Sequence, residues 1–124
     1  MLKDLEFHAT IPVHDLARAR QYYAEKLGLT ATRETPGGPV YEGHGGWFIL
    51  FHSAGAGTSQ STQMGWQTDN IEREVADLKK RGVVFMEYDL PGFKTVNSIA
   101  DTGPTRAAWF KDSEGNILGI VQME

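Results

Sequence analysis

The sequence of 124 residues contains no cysteine, which excludes disulfides, thiolate nucleophiles, cysteine-ligated zinc and iron–sulfur clusters. It also has no apolar run approaching the roughly 18–20 residues that a helix needs to cross a bilayer. Twelve Lys and Arg against sixteen Asp and Glu give a net charge of −4, so the basic surface that binds nucleic acid is missing. Residues 1–6 lack the apolar stretch of a signal peptide. We therefore expect a cytoplasmic protein with neither a membrane nor a nucleic-acid partner.

Signatures of several common enzyme classes are missing as well. The sequence contains no Gly-x-Ser-x-Gly elbow, no Walker loop and no Gly-x-Gly-x-x-Gly fingerprint. What is present is ordinary for a globular protein, since 40% of the residues are hydrophobic and 23% are charged. The length suits one compact domain.

Two amphipathic helices follow from apolar spacing and from their end residues. The first is predicted over Asp15–Leu27, with an N-cap aspartate at its start and Gly28 in the left-handed position after its end. The second is predicted to begin at Asp69 or Asn70 and to end at Gly82. Acidic residues near its start and basic residues near its end suit the helix dipole.

A repeat becomes visible when the two helices are set side by side. His8–Leu16 lies 55 positions before Gln63–Ile71, and both segments predict a strand, a polar cap and a helix that ends in glycine. Short strand-like runs follow each helix; these are 30–34, 40–42 and 47–52, then 83–88, 95–99, 107–111 and 117–123. The pattern predicts an α+β fold of two pseudo-symmetric βαβββ modules, 1–53 and 61–124, in one domain covering residues 1–124 and divided near Ser53–Ser59.

Three motifs carry a resemblance to a known family. They are His-x-x-x-x-Val-x-Asp-Leu from His8, Arg-x-x-x-Tyr-Tyr with Leu-Gly-Leu from Arg18, and the closing segment Phe110–Asn116. In this order they resemble the vicinal oxygen chelate superfamily, which includes glyoxalase I, bleomycin-resistance proteins and extradiol dioxygenases. The resemblance implies that the modules form a curved mixed sheet around a ligand cup, with the helices on the outer face. It also implies a homodimer that binds a small molecule.

Strand alternation predicts which side chains line the cup. His8 and Thr10 alternate with residues expected to pack under a helix, namely Phe7, Ala9, Ile11 and Val13. Gln63 and Gln67 alternate likewise with Met64 and Trp66, although a solvent-exposed sheet would show the same pattern. The other residues expected to bind the ligand are Phe48, Leu50, His52, Phe93, Trp109 and Gly119. Phe93 and Trp109 fit the core equally well.

The resemblance also bears on metal binding. Metal-dependent members hold one divalent ion with His or Glu side chains from the first, fourth, fifth and eighth strands, and His8 and Gln63 match two of these positions. Residues 47–52 contain no carboxylate, and Gly119 stands where the family has a glutamate. We therefore expect no metal and no cofactor, and a binding protein of the drug-sequestering type with an unknown ligand. The alternative is a metal-dependent lyase, isomerase or dioxygenase that uses His8, Gln63 and His52.

Overall fold

The computed structural model describes residues 1–123, which form two helices and ten strands after a short 3-10 turn at Leu2–Asp4. The first half contains β1 (Ala9–Val13), α1 (Leu16–Leu27), β2 (Arg33–Thr35), β3 (Gly38–Gly43) and β4 (Gly46–His52). The second contains β5 (Met64–Gln67), α2 (Ile71–Lys80), β6 (Asp89–Leu90), β7 (Phe93–Val96), β8 (Ile99–Asp101), β9 (Thr105–Lys111) and β10 (Ile117–Met123). Glu124, with which the predicted second module ends, lies outside the described residues.

The helix ends follow the sequence prediction. The Asp15 carboxylate accepts a hydrogen bond from a main-chain N–H in the first turn of α1, and Gly28 adopts the left-handed conformation with φ of 70°. The N-cap of α2 is Asn70 rather than Asp69. Gly82, with φ of 95°, follows the last turn of α2. Local side-chain chemistry therefore fixes both helices.

The strands form two sheets with related topologies. The four-stranded sheet has the order β1-β4-β3-β2, and the six-stranded sheet has the order β5-β10-β9-β8-β7-β6. In each, the strand before the helix lies parallel to the last strand of its half of the chain, and all other neighbours are antiparallel. This is the predicted α+β fold with mixed sheets.

The prediction of strands is least accurate between α2 and β9. Residues 83–88 lie outside the named strands, apart from an isolated bridge between Phe85 and Phe110. The predicted strand 95–99 is instead the hairpin of β7 and β8, which turns at Asn97 and Ser98 with φ of 52° and 73°. Asparagine tolerates this left-handed conformation, so the turn is compatible with the sequence.

One core joins the two halves of the chain. Ile11 and Val13 from β1 are fully buried together with Phe110 and Leu118 from the second sheet, and both helices contribute to the same cluster. Neither α1 nor α2 has the length and apolarity of a membrane-spanning helix. The prediction that Phe7 packs under a helix is wrong, because Phe7 precedes β1 and is 90% exposed.

The turn between β9 and β10 attaches the second half to the start of α1. Glu114 is buried there and accepts hydrogen bonds from the main-chain N–H groups of His14 (3.0 Å) and Asp15 (2.9 Å). The Arg18 guanidinium donates to the same carboxylate through Nε at 2.8 Å, and Ser113 donates at 2.7 Å. Burial opposes ionisation of Glu114, but these hydrogen bonds outweigh it and lower the pKa to about 2.

A second set of buried hydrogen bonds reinforces this attachment. The Tyr23 hydroxyl donates to Asp112 at 2.7 Å, and the Asn116 amide donates to the Pro12 carbonyl at 2.7 Å. Burial and the neighbouring Asp112 raise the pKa of Tyr23 far above its ordinary value, so its hydroxyl remains a donor. The closing motif thus holds the two halves of the chain together.

Candidate ligand-binding site

Three aromatic side chains cluster on the exposed face of the six-stranded sheet. Trp109 lies at the centre, with ring centroids 5.6 Å from Phe93 and 6.0 Å from Tyr88. Tyr88 and Phe93 meet edge to face at 5.2 Å. Each of the three is partly exposed, so together they offer an apolar, quadrupolar surface to a ligand. We refer to these three residues as the aromatic cluster.

Gly119 makes room for the central indole. It pairs with Trp109 across the β9–β10 ladder, and a Cβ atom at position 119 would lie 3.2 Å from Cδ1 of Trp109. That distance is shorter than an ordinary van der Waals contact. Glycine at this position, where the resemblance implies a glutamate, therefore lets the indole approach the backbone of β10 closely, a role that the sequence did not indicate.

Two exposed glutamines flank this surface at the edge of the sheet. Gln67 pairs with Val121, two residues from Gly119 on the same face of β10. Gln63 precedes β5 and donates its main-chain N–H to the Ile117 carbonyl at 2.9 Å. The structure therefore brings five of the predicted site residues to one sheet, namely Gln63, Gln67, Phe93, Trp109 and Gly119. It adds Tyr88, which is not among the residues that the sequence predicts to bind the ligand.

His8 and Thr10 lie instead at the exposed face of the four-stranded sheet. The His8 imidazole stacks on the Trp47 indole, with ring centroids 3.7 Å apart and planes inclined by 10°. The Arg33 guanidinium carbon lies 5.4 Å from the same ring, and the Trp47 indole N–H donates to Glu6. His8 is thus part of a stacked surface group, to which Thr10 is an exposed neighbour.

The predicted placement of Phe48 and Leu50 in the cup is wrong. Phe48 is 7% exposed and Leu50 is fully buried, and both belong to the shared core. The parallel register pairs Leu50 with Ile11, and paired residues of neighbouring strands share a face. The Phe48 ring stacks on Tyr41 at 5.0 Å and meets Trp66 of the second sheet at 6.4 Å. Phe48 and Leu50 share one face of β4, as their alternation predicts, but this face lies in the core rather than in the cup.

The residues of the alternative metal site are not brought together within one chain. His52 is exposed and pairs with Val13, the last residue of β1. His8 precedes the first residue of β1, so its backbone position lies five residue steps from that of His52, which is roughly 16 Å along a strand. Gln63 lies beside Ile117, next to Asn116, whose amide contacts the end of β1 at Pro12.

The donor set therefore does not fit a divalent ion held by a single chain. His8 is stacked on an indole, and Gly119 offers no side-chain donor. Within residues 1–123 no group of three or more His, Cys, Asp and Glu side chains is placed to hold a metal ion. These residues therefore give no basis for a catalytic step through a metal held by one chain.

Comparison with solved structures places this arrangement among known folds. A glyoxalase/bleomycin resistance protein/dioxygenase from Alicyclobacillus acidocaldarius is 21% identical with a TM-score of 0.71, over 97% of this chain and 92% of the other. TnmS3, an antibiotic binding protein from Streptomyces sp. CB03234, is 20% identical with a TM-score of 0.64, over 97% and 98%. A putative glyoxalase family protein from Bacillus anthracis is 12% identical with a TM-score of 0.70, over 97% of each chain. At these identities the likeness concerns the fold alone.

Sequence comparison gives the family directly. A search of curated proteins finds no match to the chain. The family model described as Glyoxalase/Bleomycin resistance protein/Dioxygenase superfamily matches residues 7–120, which include both halves of the repeat and the closing motif. The resemblance that the motifs indicated is confirmed, and the chain belongs to the glyoxalase/bleomycin resistance protein/dioxygenase superfamily.

Proposed function

We propose that this protein binds a small organic molecule on the exposed face of the six-stranded sheet, without a metal or cofactor. The observation that carries the proposal is the aromatic cluster around Trp109, which lies on Gly119 and is flanked by glutamine amides. A cluster of partly exposed rings gains free energy when a flat apolar ligand covers it. The antibiotic-binding neighbour TnmS3 supports the proposal through its shared fold.

The geometry favours a planar ligand with a polar edge. The rings of the aromatic cluster offer faces and edges for stacking, and Gln63 and Gln67 offer amide donors and acceptors at one side. Neither glutamine carries a charge, so this surface itself selects for shape and hydrogen bonding. The role is sequestration or carriage of the ligand rather than its conversion.

We also propose a homodimer, as predicted from the family resemblance. β1 and β5 each lie at an edge of their sheet, and an unpaired edge strand is a template for pairing with another chain. Large apolar side chains are exposed on both halves, among them Leu5 at 63% and Leu90 at 57%. A second copy would cover such surface and close the cup. The two-module division and the cytoplasmic location remain predictions.

Native mass spectrometry of protein purified without chelator tests the proposal as a whole. We expect a dimer, no stoichiometric metal and a co-purified organic molecule. A monomer of 13.7 kDa would contradict the dimer. About one zinc, nickel, iron or manganese per chain would contradict metal-free binding and would favour the alternative of a metal-dependent lyase, isomerase or dioxygenase.

Substitution of the central indole tests the location of the site. Trp109→Ala should weaken binding of the co-purified molecule by roughly tenfold or more, because a stacking surface worth about 1.5–3 kcal/mol is removed. Val96→Ala is the control, since Val96 is exposed on the opposite face of the same sheet and should leave the affinity unchanged. Isothermal titration calorimetry, under conditions in which the same fraction of each variant is folded, compares the two affinities. Equal affinities of the two variants would place the site elsewhere.

A further inference from the structure

A cavity lies on the helix side of the second sheet, away from the aromatic cluster. Its volume is about 450 Å³, and it is bounded by the end of α1, by α2 and by the buried face of the sheet. Trp66 pairs with Ile120 on this face, whereas Trp109 pairs with Gly119 on the other. The cavity is therefore separated from the proposed site by the thickness of the sheet.

Apolar side chains form the inner surface of the cavity. Trp66, Phe110 and Ile120 make the floor, and leucines from both halves of the chain make the walls, namely Leu27, Leu29 and Leu78. The volume lies within the range of roughly 300–1,000 Å³ that is usual for small-molecule sites. An occupant would bury an apolar body against an indole, a benzene ring and branched aliphatic chains.

Two carboxylates and one guanidinium group line the cavity. Glu74 and Asp77 of α2 line it, and the Asp77 carboxylate has no side-chain partner among residues 1–123. Arg81 is the basic residue of the lining, but its guanidinium lies over Gly28 and donates to the Glu25 carbonyl at 3.3 Å. The Asp77 carboxylate is therefore available to the cationic group of a ligand.

Two further basic side chains lie near this end of the cavity. The Lys26 ammonium lies beside Gly82, beyond the end of α2. Arg73 is within 3.6 Å of both Asp69 and Glu74 and offsets part of the Glu74 charge. Asp77 remains as the carboxylate that faces the cavity without an ion pair in the described part of the chain.

Trp66 also offers a hydrogen-bond donor. Its indole N–H has no partner within residues 1–123, and no unpartnered polar side-chain atom of these residues is fully buried. The Trp66 indole N–H is therefore accessible, whereas the indole N–H of Trp47 donates a hydrogen bond to Glu6. Trp66 can both stack on a ligand and donate to it.

We propose that this cavity is a second binding site, which takes an organic amine whose flat apolar body lies against Trp66 and whose ammonium group meets Asp77. The proposal is independent of the proposed function, because the two sites use different indoles on opposite faces of one sheet. Binding should weaken as salt is added, since the charge pair is exposed to solvent.

The three tryptophans report separately on the three surfaces. We would titrate the protein with naphthylmethylamine and follow the indole N–H resonances by two-dimensional NMR, assigned with Trp47→Phe and Trp109→Phe variants. The chemical shift of the Trp66 indole N–H should change with amine concentration and reach a plateau. Naphthylmethanol, the neutral counterpart, should bind about threefold to tenfold more weakly.

Matched charge variants complete the test. Asp77→Asn should reduce the affinity for the amine about threefold to tenfold, and Asp89→Asn, which removes an exposed carboxylate far from the lining, should not change it. A Trp66 resonance that does not move, equal affinities for the amine and the alcohol, or equal effects of the two variants would each overturn the proposal. Movement of Trp109 alone would overturn it while leaving the proposed function intact.

Discussion

Replacing Gly38 by alanine is expected to lower the free energy of unfolding by about 3 kcal/mol or more. Gly38 begins β3 with φ of 139°, a conformation that L-residues with a side chain rarely adopt. A Cβ atom there would lie 1.9 Å from the carbonyl oxygen of Leu50. Leu50 is fully buried in β4, so its backbone cannot move away without disturbing the core.

The neighbouring glycine is a matched control for this substitution. A Cβ atom at Gly37 would meet only side-chain atoms, the nearest being Cδ1 of Ile49 at 3.6 Å, which is ordinary contact. Gly37→Ala should therefore change the free energy of unfolding by less than about 1 kcal/mol. Urea denaturation of both variants gives the comparison. Similar losses for the two variants would contradict the assignment of the Gly38→Ala effect to the clash with Leu50.

Replacing Glu114 by glutamine is expected to cost about 2–3 kcal/mol of folding free energy. The carboxylate accepts from two main-chain N–H groups at the start of α1 and from Arg18, and its side chain is fully buried. A neutral amide weakens these hydrogen bonds and turns a donor toward the same N–H groups. The attachment of the β9–β10 turn to α1 should loosen.

An exposed ion pair between α1 and β2 provides the control. Arg20 donates to Glu34 at the surface, where solvent screens the charges. Glu34→Gln should therefore have a much smaller effect on thermal stability than Glu114→Gln. Melting curves that drop equally for both variants would contradict the assignment of Glu114 as the principal polar link between the halves.

The same carboxylate predicts a pH dependence. Its pKa falls from an ordinary 4.5 to about 2 on folding, so its ionised form stabilises the native state above about pH 4.5. This stabilisation is lost as the pH falls from about 4.5 to about 2, because the unfolded state takes up the proton first. The difference in unfolding free energy between the wild-type protein and Glu114→Gln should shrink across that interval. A constant difference would contradict the lowered pKa.

Local sequence chemistry determined the helices and the family. Asp15 and Gly28 set the ends of α1 through interactions within a few residues, and the repeat of strand, cap and helix needs no distant partner. The alternation that predicted Thr10 and Ile11 on opposite faces of β1 is likewise a local property of an extended chain. For these features a short stretch of sequence contains the necessary physical information.

Register and packing between distant segments were decided only by the tertiary structure. Alternation shows that Phe48 and Leu50 share a face, but only the pairing of Leu50 with Ile11 shows that this face is the core. Glu114 suits a surface turn in the sequence, yet it is buried because N–H groups about a hundred residues earlier need an acceptor. The face of a sheet that is buried, and the polar side chain that is buried as a hydrogen-bond acceptor, both depend on contacts between distant segments, which no local pattern encodes.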